Sequence, residues 1–319
     1  MSERSAAERL LDEAIDLLIR LQEDPANPVT RTTIDRWRAR STRHEQIWQK
    51  VFGAHGLSGE VLNERKSAQQ KAKRKVSRRK FVIGGLAGLG AVTSGAVAIP
   101  EAIVWASADH ITPKGKTEQI TLADGTRTML GPQSAIALQF TSSLRRVELI
   151  RGMAYFDVAA APNQPFLVSA GRLTVTATGT AFDISNDAGF INIAVAEGAV
   201  ETRAGAGLAR EALRLDAGEW LSFDDARIAY DRGSRDVDQI ATWRKGLIIA
   251  DREPIVALVA KIARWHPGRI VFLDPAVGEQ RISGIFDLSD TRRALAAIVH
   301  PAGARLRDLP PFLTVISPI

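Results

Sequence analysis

Ile120-Thr121-Leu122-Ala123-Asp124-Gly125-Thr126-Arg127-Thr128-Met129-Leu130 is the stretch that decides the fold of the larger part of this chain. Ile120 and Leu122 lead into Asp124-Gly125, a hairpin turn, and Thr126, Thr128 and Leu130 continue at a period of two. Alternation on both sides of Asp-Gly reads as two antiparallel strands. Short runs of the same kind follow at even spacing, with Gly or Pro between them. They are Ile136–Phe140, Val147–Ile150, Ala154–Val158, Phe166–Ser169, Leu173–Thr178, Ala181–Ser185, Ile191–Ala196 and Ala199–Arg203. This pattern predicts an all-β sandwich or jelly-roll-like domain over residues 110–235.

Beyond Trp243 the period is mixed. Gly246–Asp251, Arg269–Asp274, Arg281–Phe286 and Phe312–Ile316 read as strands. Ile255, Leu258, Val259 and Ile262 form one helical face behind Pro254, and a second helix runs from Thr291 to Val299. The order β-α-β-β-α-β over residues 240–319 predicts a split βαβ unit.

Upstream the period is helical. Leu10, Leu11, Ala14, Leu17, Leu18 and Leu21 make one apolar face, ended by Asp24-Pro25-Ala26-Asn27-Pro28. A second helix, from about Thr30 to Arg40, holds Ile34 and Trp37. Thr42-Arg43-His44-Glu45 reads as a capping box ahead of Ile47, Trp48, Val51 and Phe52. Three short helices over residues 1–60 make a small core. Their apolar residues either all pack inside or leave one face for a partner.

Between these parts lies an uncharged apolar run, Phe81–Ile99, 19 residues long. A helix needs about 20 such residues to cross a bilayer. Residues 61–80 hold nine Lys or Arg and one acid, and the first charges after the run are Glu101 and Asp109. The expectation is a basic linker at 61–80 and a single transmembrane helix at 81–104, with residues 1–60 cytoplasmic and the rest periplasmic. Ser77-Arg78-Arg79-Lys80-Phe81 resembles a twin-arginine export signal, with Arg78, Arg79 and Phe81 as its residues. Ala106-Ser107-Ala108 has the form of a signal-peptide cleavage site, the run also suits a buried Gly-rich helix of a soluble protein, and Gly84 and Gly88 have helix-packing spacing; all three readings stay open.

The net charge of +6 is concentrated in that linker, so it reads as contact with anionic lipid rather than with nucleic acid. The chain has no Cys, which excludes disulfides, thiolate metal sites and thiol lipidation. Its five His do not cluster at ligand spacing, and no HExxH, GxSxG or P-loop is present. A membrane-anchored enzyme is therefore disfavoured, and an envelope docking protein remains open.

These residues together resemble the FecR-type transmembrane regulators of cell-surface signalling. The resemblance rests on Arg36-Trp37 with His44-Glu45-Gln46-Ile47-Trp48, on Thr121–Thr126, and on Arg146–Val158. It continues through Pro165-Phe166-Leu167-Val168, Gly179-Thr180-Ala181-Phe182-Asp183-Ile184 and Glu197-Gly198-Ala199-Val200. Met153 stands where the family usually has an acidic residue. The tail resembles the short N-terminal domain of secretins and TonB-dependent receptors.

The resemblance implies an anti-sigma factor of the bacterial inner membrane, spanning it once, with no cofactor and no metal. The helical part would bind an extracytoplasmic-function sigma factor through Leu17, Leu18, Leu21, Trp37, Ile47 and Trp48. The outer part would sense the periplasmic signalling domain of a TonB-dependent, siderophore-type receptor. Periplasmic and intramembrane proteases would then release the sigma factor. Some members cut themselves at a Gly-Thr bond, which here is Gly179-Thr180. Gly179 could instead merely supply an unusual backbone angle where Thr180 begins a strand.

Overall fold

The structure, a computed structural model, describes residues 9–10, 13–18, 20–21, 27–49, 51–52, 104, 106–205, 212–309 and 313–319. The chain divides into two units: Met1–Val92 with Gly268–Val277 and Val299–Ile319, and Thr93–Pro267 with Gly278–Ile298.

In the second unit thirteen strands form one sheet: β1 (His110–Ile111), β2 (Glu118–Thr121), β3 (Arg127–Leu130), β4 (Ala135–Phe140), β5 (Arg145–Asp157), β6 (Phe166–Ala170), β7 (Leu173–Ala177), β8 (Ala181–Asp187), β9 (Phe190–Glu197), β10 (Ala199–Ala204), β11 (Leu213–Asp216), β12 (Glu219–Asp224) and β13 (Ala229–Ser234). The order is β11-β10-β7-β6-β5-β8-β9-β12-β13, with β3 and β4 also on β5. The expected hairpin is β2–β3. Leu122 and Thr126 close it, and Gly125 at φ +86° takes the left-handed position of its loop.

β5 corrects the expectation of two packed sheets. Val147–Ile150 and Ala154–Val158 read as separate strands, but all of these residues except Val158 lie in one strand of 13 residues. Its first half pairs with β4 and, in parallel, with β6; its second half pairs with β3 and β8. The kink between the halves is Gly152, at φ +101°. A Cβ there would lie 2.4 Å from the Cα of Ser134, whose hydroxyl bonds both backbone groups of Met153. The sheet therefore bends across itself without breaking, and both halves enclose one core. Phe156 is the hub of that core, with ring centroids 5.6 Å from Phe166 and 5.5 Å from Phe182.

The expected split βαβ unit is also corrected. The elements found are β14 (Leu247–Pro254), β15 (Arg269–Phe272), β16 (Arg281–Asp287), β17 (Ala304–Leu309) and β18 (Leu313–Pro318). β14 pairs with β16 in one two-stranded sheet, whereas β15, β18 and β17 form a separate three-stranded sheet. β17 was not expected at all. Pro254 precedes a helix as expected, Ile255–Ile262, whose Ile255, Leu258, Val259 and Ile262 are buried.

In the first unit helix α1 (Pro28–Arg38) starts two residues before the expected position. Asn27 caps it, its Oδ1 accepting from the N–H groups of Val29 and Thr30 at 2.9 and 3.3 Å. The helix at 42–49 begins one residue after Ser41, whose hydroxyl takes the capping role expected of Thr42. Glu45 turns away to a two-pronged bond with Arg38, at 2.7 and 2.9 Å. Hydrogen bonds from Arg38 and Gln49 hold its carboxyl down at about 2.

The transmembrane helix is the main correction. The run Phe81–Ile99 lies outside the described residues, and so do Arg78 and Arg79. Among the described residues no helix is long and apolar enough to cross a membrane. The helical segment also shares one apolar cluster with the C-terminal sheet: Leu18, Ile34, Trp37, Trp48 and Val51 pack with Leu309, Leu313 and Val315.

Candidate functional site

The Gly179–Thr180 bond sits in a bend between β7 and β8. Gly179 has φ +143°, and a Cβ there would lie 3.2 Å from both Cα and Cβ of Ala160. Only glycine meets that angle and that contact without strain. Thr180 is 6% exposed, and its Oγ1 is buried with no hydrogen-bond partner. Its carbonyl accepts from the Val158 N–H at 3.0 Å, and the Thr178 carbonyl accepts from the Ala161 N–H at 3.3 Å. Gly198, at φ +76°, lies against both residues. A Cβ on it would come within 2.9 Å of Thr180 Cγ2 and 3.3 Å of the Gly179 oxygen.

The arrangement has the parts of an intramolecular nucleophile. A hydroxyl with nothing to bond adjoins the carbonyl of the preceding residue, in backbone that only glycine adopts easily. The motifs around 124 and 198 drew attention in the sequence, but nothing local said that Thr180 would leave no room for a side chain at 198. Ala160 carried no signal.

The six helical residues expected to bind a partner divide differently. Leu17, Leu18, Trp37 and Trp48 are core, between 1 and 7% exposed, while Leu21 and Ile47 are partly exposed. Trp37 Nε1 donates to Glu13 at 2.6 Å. The open feature is a groove of about 550 Å³ lined by Leu21, Ile34, Trp48 and Phe52, with Arg31, Asp35 and Arg38 along it. Phe52 stacks on Trp48 at 5.8 Å and is 43% exposed. Sequence periodicity identified the apolar face, but it could not separate the rim of this groove from the core beneath.

A polar cluster in the β unit is structural. Trp243 Nε1 donates to Asp183 at 2.8 Å, and Lys261 pairs with Glu253 at 2.7 Å. They line a cavity of about 70 Å³, room for water rather than an organic ligand. Among the described residues no group of acids and histidines is placed to hold a metal ion. His266, expected at a helix end, follows Ile255–Ile262 and its Nδ1 lies 3.1 Å from Thr291 Oγ1.

Burial pushes the Asp183 carboxyl up to about 6. An acid whose folded pKa is raised stabilises the fold only while protonated there. Stability is therefore expected to fall as pH rises from about 4 to about 6, by about 2 kcal/mol after allowing for partial solvent contact. Asp183→Asn keeps an acceptor for Trp243 and should remove this slope. Urea unfolding from pH 4 to 7 checks it; parallel curves for the two proteins would refute the assignment.

Comparisons with known proteins agree on two regions. Residues 108–201 match the model of the FecR protein family, and residues 12–51 match a domain of unknown function, DUF4880. No curated protein sequence matches the chain. Two crystal structures of a proposed anti-sigma factor from Parabacteroides distasonis, at 1.65 and 2.50 Å resolution, are similar to it. Each shares 25% identity at a TM-score of 0.59, over 66% of this chain and 98% of that one.

Proposed function

We propose, from the premise that residues 108–201 are a FecR domain preceded by a DUF4880 segment at 12–51, that this chain is an anti-sigma regulator. The observation that carries the reading is the pairing of that domain order with a fold similar to a proposed anti-sigma factor. The partner proposed is an extracytoplasmic-function sigma factor. Its docking place is the groove along Leu21, Ile34, Trp48 and Phe52, whose apolar floor and charged rim suit an amphipathic helix.

The test is co-purification of the full chain from its source bacterium, followed by a binding titration with the sigma factor recovered. Phe52→Asp puts a charge on the exposed edge of the groove. It should weaken binding at least tenfold with unchanged helical circular dichroism. Recovery of no sigma factor with a folded chain would sink the reading.

The input is proposed to come from the signalling domain of a TonB-dependent receptor, with proteolysis releasing the sigma factor. A bacterial inner-membrane location is also proposed, and the nine Lys and Arg of residues 61–80 suit an anionic lipid surface. Fractionation tests it: recovery of the chain in the soluble fraction at physiological salt would remove it.

Self-cleavage at Gly179–Thr180 belongs to the same reading. Thr180 Oγ would add to the Gly179 carbonyl carbon, its proton passing to the Thr180 nitrogen as the C–N bond breaks. The resulting ester would take up water, giving a Gly179 carboxylate and a Thr180 amine with its hydroxyl restored. The unpartnered Thr180 Oγ1 and the φ of Gly179 support this proposal.

A further inference from the structure

Segment 158–161 straddles the Gly179–Thr180 bond. The Val158 and Ala161 N–H groups reach the carbonyls of Thr180 and Thr178, on either side of Gly179, and Ala160 between them fills the space that a Cβ on Gly179 would need. What fixes this segment therefore fixes the twist of the bond.

Ala159 is held at both backbone groups. Its N–H donates to Thr126 Oγ1 at 3.1 Å, and its carbonyl accepts from Arg145 Nη1 at 3.0 Å. The Thr126 hydroxyl donates in turn to Asp124 Oδ2 at 2.7 Å, and Arg145 Nη1 reaches the same oxygen at 2.9 Å. Arg145 also donates from Nε to the Gln164 carbonyl at 2.8 Å. Thr126 is wholly buried and Arg145 is 3% exposed, so no water competes for these bonds. The hydroxyl of Thr126 is the joint: it accepts from segment 158–161 and donates to the hairpin turn.

We infer that Thr126, tied through Asp124 to Arg145, is a positioning residue for cleavage at Gly179–Thr180, holding the bond in the geometry in which Thr180 Oγ attacks. The inference rests on the self-cleavage reading above. It assigns a role in chemistry to a threonine that touches neither reacting atom.

The experiment follows the full chain from synthesis in a cell-free system and measures the fraction converted to two fragments over time. Thr126→Val keeps the side-chain shape and removes the hydroxyl; Thr126→Ser keeps the hydroxyl. Thr126→Val should slow conversion at least tenfold, while Thr126→Ser stays within about threefold of the natural chain. Added hydroxylamine, which opens esters, should speed fragment release in the natural chain but not restore Thr126→Val, because the slowed step precedes the ester. Urea unfolding of Thr126→Val close to that of Thr126→Ser, alongside the slowed conversion, separates positioning from a loss of fold.

Thr126→Val converting at the natural rate, or regaining it in hydroxylamine, overturns the inference while self-cleavage stands. A natural chain that never converts, with or without hydroxylamine, removes the self-cleavage reading and the inference with it. If Thr126→Val yields no folded chain, Arg145→Lys reads the same clamp from its other side. Slowed conversion of soluble Arg145→Lys supports the inference, and the natural rate overturns it.

Discussion

Thr180→Ala is expected to leave the chain in one piece where the proposed self-cleavage would yield two fragments meeting at Gly179–Thr180. The expected effect is total, because the substitution removes the nucleophile rather than weakening it. The same substitution should not cost much fold stability. Thr180 Oγ1 is buried with no hydrogen-bond partner, and such an atom costs about 1–3 kcal/mol of desolvation. Removing it offsets the lost methyl contact, and Thr180→Val, which keeps the shape, should be at least as stable as the natural chain. Thr180→Ser retains the nucleophile and should still cut. Mass spectrometry of the purified chains gives the fragments, and urea unfolding gives the stability. Fragments persisting in Thr180→Ala would assign the cut to a protease. An intact natural chain alongside a stabilised Thr180→Val would leave Gly179 as a backbone device and nothing more.

Local chemistry was legible in the sequence, and long-range pairing was not. The β2–β3 hairpin, the Gly179–Thr180 bend and the helix after Pro254 each announce themselves within a few residues. Their signals are a turn residue, a period or a cap. β5 misled because Arg151-Gly152 looks like a turn, whereas the glycine kinks one strand that pairs on both sides of the kink. β17 was missed because Arg305, Arg307 and Asp308 mask the alternation of Ala304–Leu309.

Trp37 and Trp48 were readable as apolar anchors, but their packing with Leu313 and Val315 depends on residues more than 260 positions away. Arg145 and Arg264 were invisible as buried residues. A charged side chain reads as surface until its partners are known, and the nearest acidic partners of these two lie 21 and 77 positions away.

That distant pairing makes Arg264 the second position of large expected effect. It follows the helix Ile255–Ile262 and is 8% exposed. Its Nη2 donates to Asp187 Oδ1 at 2.5 Å and to the Asn186 carbonyl at 2.9 Å. Asp187 is fully buried at the end of β8, and its other oxygen has only Lys261, at 4.0 Å. Arg264→Met keeps the aliphatic stem and removes the charge, so Asp187 is left as a buried carboxylate with one distant cation. Breaking a buried pair from one side costs about 3–5 kcal/mol, and that is the loss expected in urea unfolding.

Asp187→Asn on the Arg264→Met background removes the stranded charge and should recover most of the loss, because an uncharged pair has little left to desolvate. That recovery is the discriminating result. A cost below about 1 kcal/mol for Arg264→Met would mean that water replaces the guanidinium. A double variant as unstable as the single one would mean that the loss comes from packing around the helix end. Either outcome removes the ion pair as the tie between the helix and β8, and recovery establishes it.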